Sequence, residues 1–144
     1  GILFAVRAGA SGDITPREGE TTSAGVVWSQ EKAAPAMASP LVHGGLVYAF
    51  KRRTGIVTAH DAETGEEIYK KRLEGAPGFW VSPWVADGKV FCLDENGTTH
   101  VLRPGPEFEV LARNPLDEQV RASPAITPRG LVVRGVEHLY CVRR

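Results

Sequence analysis

Hydrophobic and polar residues alternate along most of the chain in short runs, and each run ends at a turn residue. In the run 56–61, Ile56, Thr58 and His60 would point to one side of an extended chain and the intervening residues to the other. Tight turns such as Asn96-Gly97 separate the runs, because glycine readily takes the positive φ that hairpins need. The pattern predicts an all-β protein.

The alternating runs recur at a nearly constant spacing. Ser39-Pro40 recurs as Ser82-Pro83 and again as Ser123-Pro124, at steps of 43 and 41 residues. A second marker, the turn Thr54-Gly55, recurs 42 residues later as Asn96-Gly97. Self-similarity at a fixed period indicates a repeat architecture in which each repeat is one structural unit.

Each repeat is predicted to form four short strands. The segment 66–73 is read as a strand rather than a helix, because it has no N-cap and no helical stripe. Two strands around a polar loop, 9–24, precede the complete repeats and three strands follow them, which gives thirteen strands in all. In the complete repeats the predicted strands are about 38–43, 46–51, 56–61, 67–73, 81–86, 89–94, 98–103 and 108–113.

Four-stranded antiparallel units at this period are the blades of a β-propeller. Closed propellers typically have four to eight blades, so the chain is predicted to be a propeller fragment of about three blades. The remaining blades of the same propeller are then expected as partners, and Gly1 is expected to mark a cut in a longer chain. The predicted units are a half blade with a long loop (1–33), two four-stranded blades (34–75 and 76–117) and a three-stranded last blade (118–144).

The composition of the chain argues against several classes of function. Seventeen Lys and Arg residues balance seventeen Asp and Glu residues, which argues against a general nucleic-acid or membrane-surface binder. No apolar stretch is long enough to span a membrane, and no signal peptide is visible. Cys92 and Cys141 lack zinc-site spacing and lie in apolar runs, so both are predicted to be small buried residues, with a disulfide as the alternative.

No residue pattern points to catalysis. His60, His100 and His138 all fall on predicted third strands, but they occupy different positions when the repeats are aligned, which disfavours a shared metal site. The recurring serines of the Ser-Pro steps are interpreted as structural because every repeat has one. The chain is therefore more consistent with a binding protein than with an enzyme.

One end of the blades offers a candidate partner surface. The loops that enter the first strands and the turns between second and third strands are expected to open on the same face of a propeller. A Phe-Trp pair beside charges of both signs is typical of a protein-binding patch. The two aromatic residues could equally fill the space between blades. The predicted partner face comprises Arg52, Arg53, Phe79, Trp80, Asp94, Glu95 and Arg121.

The first complete repeat carries a recognisable signature. The stretch 59–69, which reads Ala-His-Asp-Ala-Glu-Thr-Gly-Glu-Glu-Ile-Tyr, resembles the Ala-x-Asp-x-x-Thr-Gly-x-x-x-Trp repeat of PQQ-like (quinoprotein-like) propeller proteins. The signature tryptophan is Tyr69 here, and the second repeat replaces the Asp and Thr-Gly turn with 103–106. Physically, Asp61 and Gly65 suit a tight turn, and an aromatic residue such as Tyr69 or Trp28 can pack on the neighbouring blade.

The resemblance implies a fold, a location and two candidate functions. Bacterial PQQ-like propellers include lipoproteins of outer-membrane assembly and other extracytoplasmic proteins, which implies a non-catalytic scaffold that binds another protein or a cell-envelope component. A WD40-like propeller is disfavoured because its Trp-Asp and Gly-His marks are missing. The alternative is part of a PQQ-dependent quinoprotein dehydrogenase. That enzyme needs a vicinal cysteine pair and calcium ligands that cannot be matched here, so PQQ and calcium would bind only if further blades supplied the site.

Overall fold

The structure, a computed structural model, describes residues 1–143 and consists of short strands joined by turns and loops. Within those residues there is no helix, and hence none long and apolar enough to cross a membrane. Residues 1–143 contain thirteen strands, which confirms the number expected from the repeat. Their bounds are β1 Leu3–Val6, β2 Val26–Gln30, β3 Leu41–His43, β4 Leu46–Phe50, β5 Ile56–Asp61, β6 Glu67–Arg72, β7 Trp84–Ala86, β8 Lys89–Leu93, β9 Thr98–Leu102, β10 Val110–Pro115, β11 Ala125–Thr127, β12 Gly130–Arg134 and β13 Leu139–Arg143.

The strands form four antiparallel sheets in which chain neighbours are also sheet neighbours. We call them the half blade (β1–β2), the first blade (β3–β6), the second blade (β7–β10) and the third blade (β11–β13). The β-propeller fold class is confirmed, and 66–73 does contain a strand, β6. Each sheet lies within one predicted unit, while the boundaries between units stay a prediction.

The first strand of each complete blade is shorter than predicted. The repeats predict strands that begin at residues 38 and 81, whereas β3 begins at Leu41 and β7 at Trp84. Pro40 and Pro83 have no N–H to donate to a strand partner. The fourth strand of the second blade is also displaced, since it covers 110–115 rather than 108–113.

The recurring serines connect neighbouring blades instead of starting the strands. The backbone N–H of Ser39 donates to the Ser82 hydroxyl at 3.0 Å, and the N–H of Ser82 donates to the Ser123 hydroxyl at 3.0 Å. Each serine therefore lies just before a strand and fixes the spacing of two blades at that point. A structural role for these serines is thus supported, but their place inside the strand was wrong.

The turn of the signature has the geometry that its residues predict. Asp61 Oδ1 accepts hydrogen bonds from the backbone N–H groups of Glu63 at 2.9 Å and Thr64 at 2.8 Å. These bonds, together with one from the Thr64 hydroxyl, lower the pKa of Asp61. Gly65 closes the turn with a φ of 77°, a backbone conformation that residues with a side chain rarely adopt.

Aromatic residues of two fourth strands, β2 and β6, dock on the following blade, as the sequence predicts. Trp28 of the half blade is buried, and its indole N–H donates to the Ala62 carbonyl of the first blade at 3.0 Å. Tyr69 of the first blade packs edge-on against Phe108, with ring centroids 5.6 Å apart. The hydrophobic core therefore lies between blades, in three clusters that join successive sheets.

The two cysteines differ in environment, which corrects the expectation that both are buried. Cys92 is fully buried in the cluster between the first and second blades, and burial raises the pKa of its thiol. Cys141, on β13 of the third blade, is exposed. Both thiols are free, so the disulfide alternative fails.

Candidate functional site

The candidate site is built from loops of three successive blades. Arg52 lies in the turn between β4 and β5 of the first blade, and Trp80 lies in the loop that enters the second blade. Glu95 lies in the turn between β8 and β9, and Arg121 lies in the loop that enters the third blade. We call these four residues the Trp80 cluster.

Trp80 is the centre of the cluster. The guanidinium carbon of Arg52 lies 4.0 Å from the centre of the indole ring, and that of Arg121 lies 5.9 Å from it. Both distances are within the range of a cation–π attraction. The indole N–H donates to Glu95 Oε2 at 2.8 Å. The ring is therefore fixed by contacts to all three blades.

Backbone contacts hold the loops of the cluster together. The N–H of Phe79 donates to the Lys51 carbonyl at 3.2 Å, and the N–H of Glu95 donates to the Gly78 carbonyl at 3.1 Å. At Gly78 the two loops approach so closely that a Cβ atom would lie 1.6 Å from the Arg52 carbonyl oxygen. Only glycine fits there, so Gly78 is what allows Trp80 to reach Arg52.

Phe79 does not belong to the accessible surface, although the sequence placed it on the partner face. Its side chain is fully buried, with its ring 5.2 Å from that of Phe50 and 6.2 Å from that of His100. The sequence left open whether Phe79 and Trp80 fill the space between blades. Phe79 does so, whereas Trp80, its neighbour in the chain, is only partly buried.

Asp94 is also buried, and its carboxylate accepts hydrogen bonds from the turn in which it lies. Its Oδ1 accepts hydrogen bonds from the N–H groups of Asn96 at 3.0 Å and Thr98 at 2.9 Å, and its Oδ2 lies 2.8 Å from His100 Nε2. A carboxylate that is 1% exposed cannot contact a partner directly. Asp94 therefore positions the turn that carries Glu95, and its inclusion in the partner face is corrected.

The remaining predicted residue, Arg53, is exposed beside the cluster. Arg52, Arg53 and Arg121 form no ion pair with any carboxylate of the described residues. A guanidinium that stacks on an indole keeps its N–H edge free for an acceptor, and arginine can bind a carboxylate through two parallel hydrogen bonds. The cluster is thus chemically suited to binding.

Sequence reasoning missed Glu118. This residue lies in the loop before the third blade, and its carboxylate accepts hydrogen bonds from the N–H groups of Glu137 and His138 and from the Tyr140 hydroxyl. The Tyr140 bond is the largest cause that lowers the pKa of Glu118 to about 2. Glu118 accepts backbone hydrogen bonds from the turn between β12 and β13, as Asp94 does from the turn between β8 and β9.

A signal for Glu118 was present in the repeat. Gly135 takes the position in the third blade that Asp94 has in the second, so this turn lacks a carboxylate at that position. A Cβ atom at Gly135 would lie 2.4 Å from the carboxyl group of Glu118. Because Gly135 has no side chain, the carboxylate of Glu118 can take the place that Asp94 has in the second blade.

The histidines are dispersed. His60 and His100 are buried, and His138 is exposed. Among residues 1–143, no three His, Cys, Asp or Glu side chains come together in a way that could hold a metal ion.

The chain was compared with known families and structures. The model of a family described as "Outer membrane protein assembly factor BamB" matches residues 17–104, which is more than half of the chain. The match includes Arg52, Trp80 and Glu95 but ends before Arg121. No curated protein matches.

Among solved structures, the chain is similar to the crystal structure of BamB from Moraxella catarrhalis. The TM-score is 0.62 at 17% sequence identity, and the match covers 77% of this chain and 34% of that chain. At this identity the likeness shows the fold. The chain thus spans about one third of the length of that solved structure.

Proposed function

Because the chain belongs to the family described as outer membrane protein assembly factor BamB, we propose that it acts by binding, as part of a propeller scaffold outside the cytoplasm. In this proposal the ligand is another protein or a cell-envelope component, and the Trp80 cluster is part of the contact surface. The description of the family supports both the location and the role. No chemical step is assigned to the chain.

The observation that carries the proposal is the environment of Trp80. Of the three tryptophans, Trp28 and Trp84 are 5% and 7% exposed, whereas Trp80 is more accessible. Tryptophan and arginine are the residues most often found at the energetic centre of protein interfaces. Here one partly exposed tryptophan is held by two arginines that pair with no carboxylate of residues 1–143, and it therefore presents a rigid, preorganised contact.

A protein is favoured as the ligand over a nucleic acid. The formal charge of the chain is zero, and the cluster itself contains a carboxylate, Glu95, beside its arginines. A nucleic-acid site would need a more extended basic surface with aromatic residues free to stack. The indole of Trp80 is already engaged by Arg52, which leaves little of that face for a base.

The experiment that tests the proposal is site-specific photo-crosslinking in the cells that produce the protein. A photoreactive amino acid replaces Gln119, which is exposed in the loop of Arg121 but outside the cluster. The control replaces Lys71, which is exposed on β6. We expect a discrete adduct with an outer-membrane assembly protein from position 119 and none from position 71.

The same experiment in a Trp80→Ala background tests the role of the cluster. Loss of an interface tryptophan typically costs 2 kcal/mol or more, about a thirtyfold loss of affinity, so the adduct from position 119 should nearly disappear. Trp80→Phe keeps a ring for Arg52 to contact and should retain part of the adduct. An adduct of unchanged intensity in Trp80→Ala would refute the cluster as the contact surface.

The alternative function, part of a PQQ-dependent dehydrogenase, rests on the repeat signature alone. It is distinguished by isothermal titration of the protein with PQQ and calcium. We propose that this chain binds neither with micromolar affinity. Such binding would instead favour the dehydrogenase and direct attention to further blades for its catalytic residues.

A further inference from the structure

The surface around Trp80 carries more positive than negative charge. Arg52 and Arg121 lie over the indole ring, and Arg53 is exposed beside them. The only carboxylate of the Trp80 cluster is that of Glu95. The surface therefore has three guanidinium groups and one carboxylate, although the formal charge of the whole chain is zero.

The carboxylates next to these arginines are bound elsewhere. Glu95 accepts the indole N–H of Trp80 at 2.8 Å. Glu118 lies in the same loop as Arg121, but its carboxylate accepts the hydroxyl of Tyr140 and the backbone of the β12–β13 turn. Within residues 1–143 the three arginines form no ion pair. Their positive charges are therefore available to an acceptor on another molecule.

Both loops that carry this surface are held by neighbouring turns on two sides. The loop before β7 is bonded through its backbone to the β4–β5 turn and to the β8–β9 turn. In the loop before β11, the N–H of Val120 donates to the Glu95 carbonyl at 3.2 Å, and the Gln119 carbonyl accepts the N–H of Val136 at 3.1 Å. Because the backbone is already fixed, little conformational entropy is lost when a partner binds.

The geometry of the cluster suits an acidic segment of a protein. The guanidinium carbons of Arg52 and Arg121 both lie within 5.9 Å of one point, the centre of the Trp80 ring. A short segment can therefore contact both groups at once. A guanidinium binds a carboxylate through two parallel hydrogen bonds, and the indole beneath adds apolar contact area.

We propose that the Trp80 cluster binds an acidic segment of its protein partner, in which aspartate or glutamate side chains accept hydrogen bonds from Arg52 and Arg121. This inference rests on the proposed function, because it assigns the chemistry of the partner at the same surface. The unpaired charges also attract such a partner before contact, which raises the rate of association.

Charge reversal in the crosslinking experiment tests the proposal. Arg121→Glu would place a carboxylate opposite the acidic segment, so the adduct from position 119 should nearly disappear. Arg129→Glu is the matched control, because Arg129 is also exposed but lies at the other end of β11, and it should leave the adduct unchanged. An adduct that requires Trp80 but resists Arg121→Glu would refute the acidic partner and leave the proposed function intact.

A titration of the purified protein tests the same chemistry without the cellular partner. The probe is a fluorescein-labelled peptide with glutamate at every second position, followed by fluorescence anisotropy, and the control peptide has glutamine at those positions. We expect saturable binding of the glutamate peptide and at least tenfold weaker binding of the glutamine peptide. Arg121→Gln should weaken binding of the glutamate peptide about tenfold, whereas Arg129→Gln should not change it.

Ionic strength gives an independent readout. The Debye length falls from about 10 Å at 0.1 M salt to about 3 Å at 1 M, so the affinity for the glutamate peptide should fall over this range. Equal affinity for the two peptides, or equal weakening by Arg121→Gln and Arg129→Gln, would overturn the proposal even if position 119 gives an adduct. If position 119 gives no adduct but the glutamate peptide binds and depends on Arg121, the proposed function fails and the acid-binding chemistry of the cluster is supported.

Discussion

At the scale of single residues, chain neighbours in the candidate site differ in accessibility: Trp80 and Glu95 are partly exposed, whereas Phe79 and Asp94 are buried. The repeat placed Phe79 and Trp80 in one loop and Asp94 and Glu95 in one turn, and these segments do meet. Which member of each pair faces solvent depends on the packing between blades, and the repeat spacing contains no such information. Glu118 was missed because its contacts are 19 to 22 residues away in the chain.

The carboxylate of Glu118 leads to a prediction about stability. Its side chain is 10% exposed, and the pKa is lowered from 4.5 to about 2 by hydrogen bonds that exist only in the folded state. A group whose pKa is lower in the folded protein stabilises it above the unfolded pKa, and this stabilisation is lost as the pH falls through the folded pKa. Glu118→Gln should therefore lower the melting temperature at pH 7 by several degrees.

The difference between Glu118→Gln and the unmodified protein should stay constant above about pH 5 and shrink between 4.5 and about 2. Glu137→Gln is the control, because Glu137 is exposed and contributes only its backbone N–H to this network. Thermal melts followed by circular dichroism across this pH range are the measurement. A difference between the two variants that does not change with pH would contradict the role of the charge.

At the scale of the elements, alternation and turn residues predicted the strands well and their starts poorly. Turn chemistry is local, so the Asp61–Gly65 turn follows directly from its residues. β3 and β7 begin directly after Pro40 and Pro83, and the serines before these prolines bond to the next blade, 41 to 43 residues away. Signals within a repeat thus define its hairpins, whereas the role of the serines becomes visible only when two repeats are placed side by side.

The docking of Trp28 on the signature turn can be measured with two glycine variants. Gly65 and Gly88 both have positive φ, 77° and 65°, so an alanine is strained at either position by about 1–2 kcal/mol. At Gly65 the new Cβ would also lie 2.6 Å from the Trp28 ring, whereas at Gly88 nothing lies within 4 Å. Gly65→Ala should therefore cost a further ~1–3 kcal/mol.

Urea unfolding at pH 7 measures this difference. The comparison isolates the contact between blades, because the free-energy cost of an alanine at positive φ is nearly the same in both variants. In a Trp28→Ala background the extra cost of Gly65→Ala should disappear, since the clashing ring is gone. Equal losses of unfolding free energy for Gly65→Ala and Gly88→Ala in the unmodified background would show that the Trp28 ring can move away from the new Cβ atom without loss of stability.

At the scale of the whole molecule, the repeat period was the most informative feature of the sequence. A spacing of 41 to 43 residues predicted four sheets, their strand order and the absence of crossovers, since consecutive short strands with tight turns pair with their neighbours.

The two terminal sheets have apolar outer faces, which leads to a prediction about self-association. Phe4 on β1 is 47% exposed, and Leu139 on β13 is 71% exposed. Repeat units bury their faces against neighbours, so these surfaces are energetically unfavourable in water and should associate with those of a second copy. Analytical ultracentrifugation of the 144-residue chain should therefore show a sedimentation coefficient that rises with concentration.

Substitutions identify the surfaces responsible. Phe4→Ser and Leu139→Ser should each reduce the association, and together they should reduce it more. Leu111→Ser is the control, because Leu111 is 36% exposed but lies on β10 of the second blade, which is not a terminal sheet. A chain that stays monomeric at high concentration, or that responds equally to Leu111→Ser, would show that the exposed faces do not drive association. In that case single exposed apolar residues are tolerated on the two terminal sheets, as they are on any protein surface.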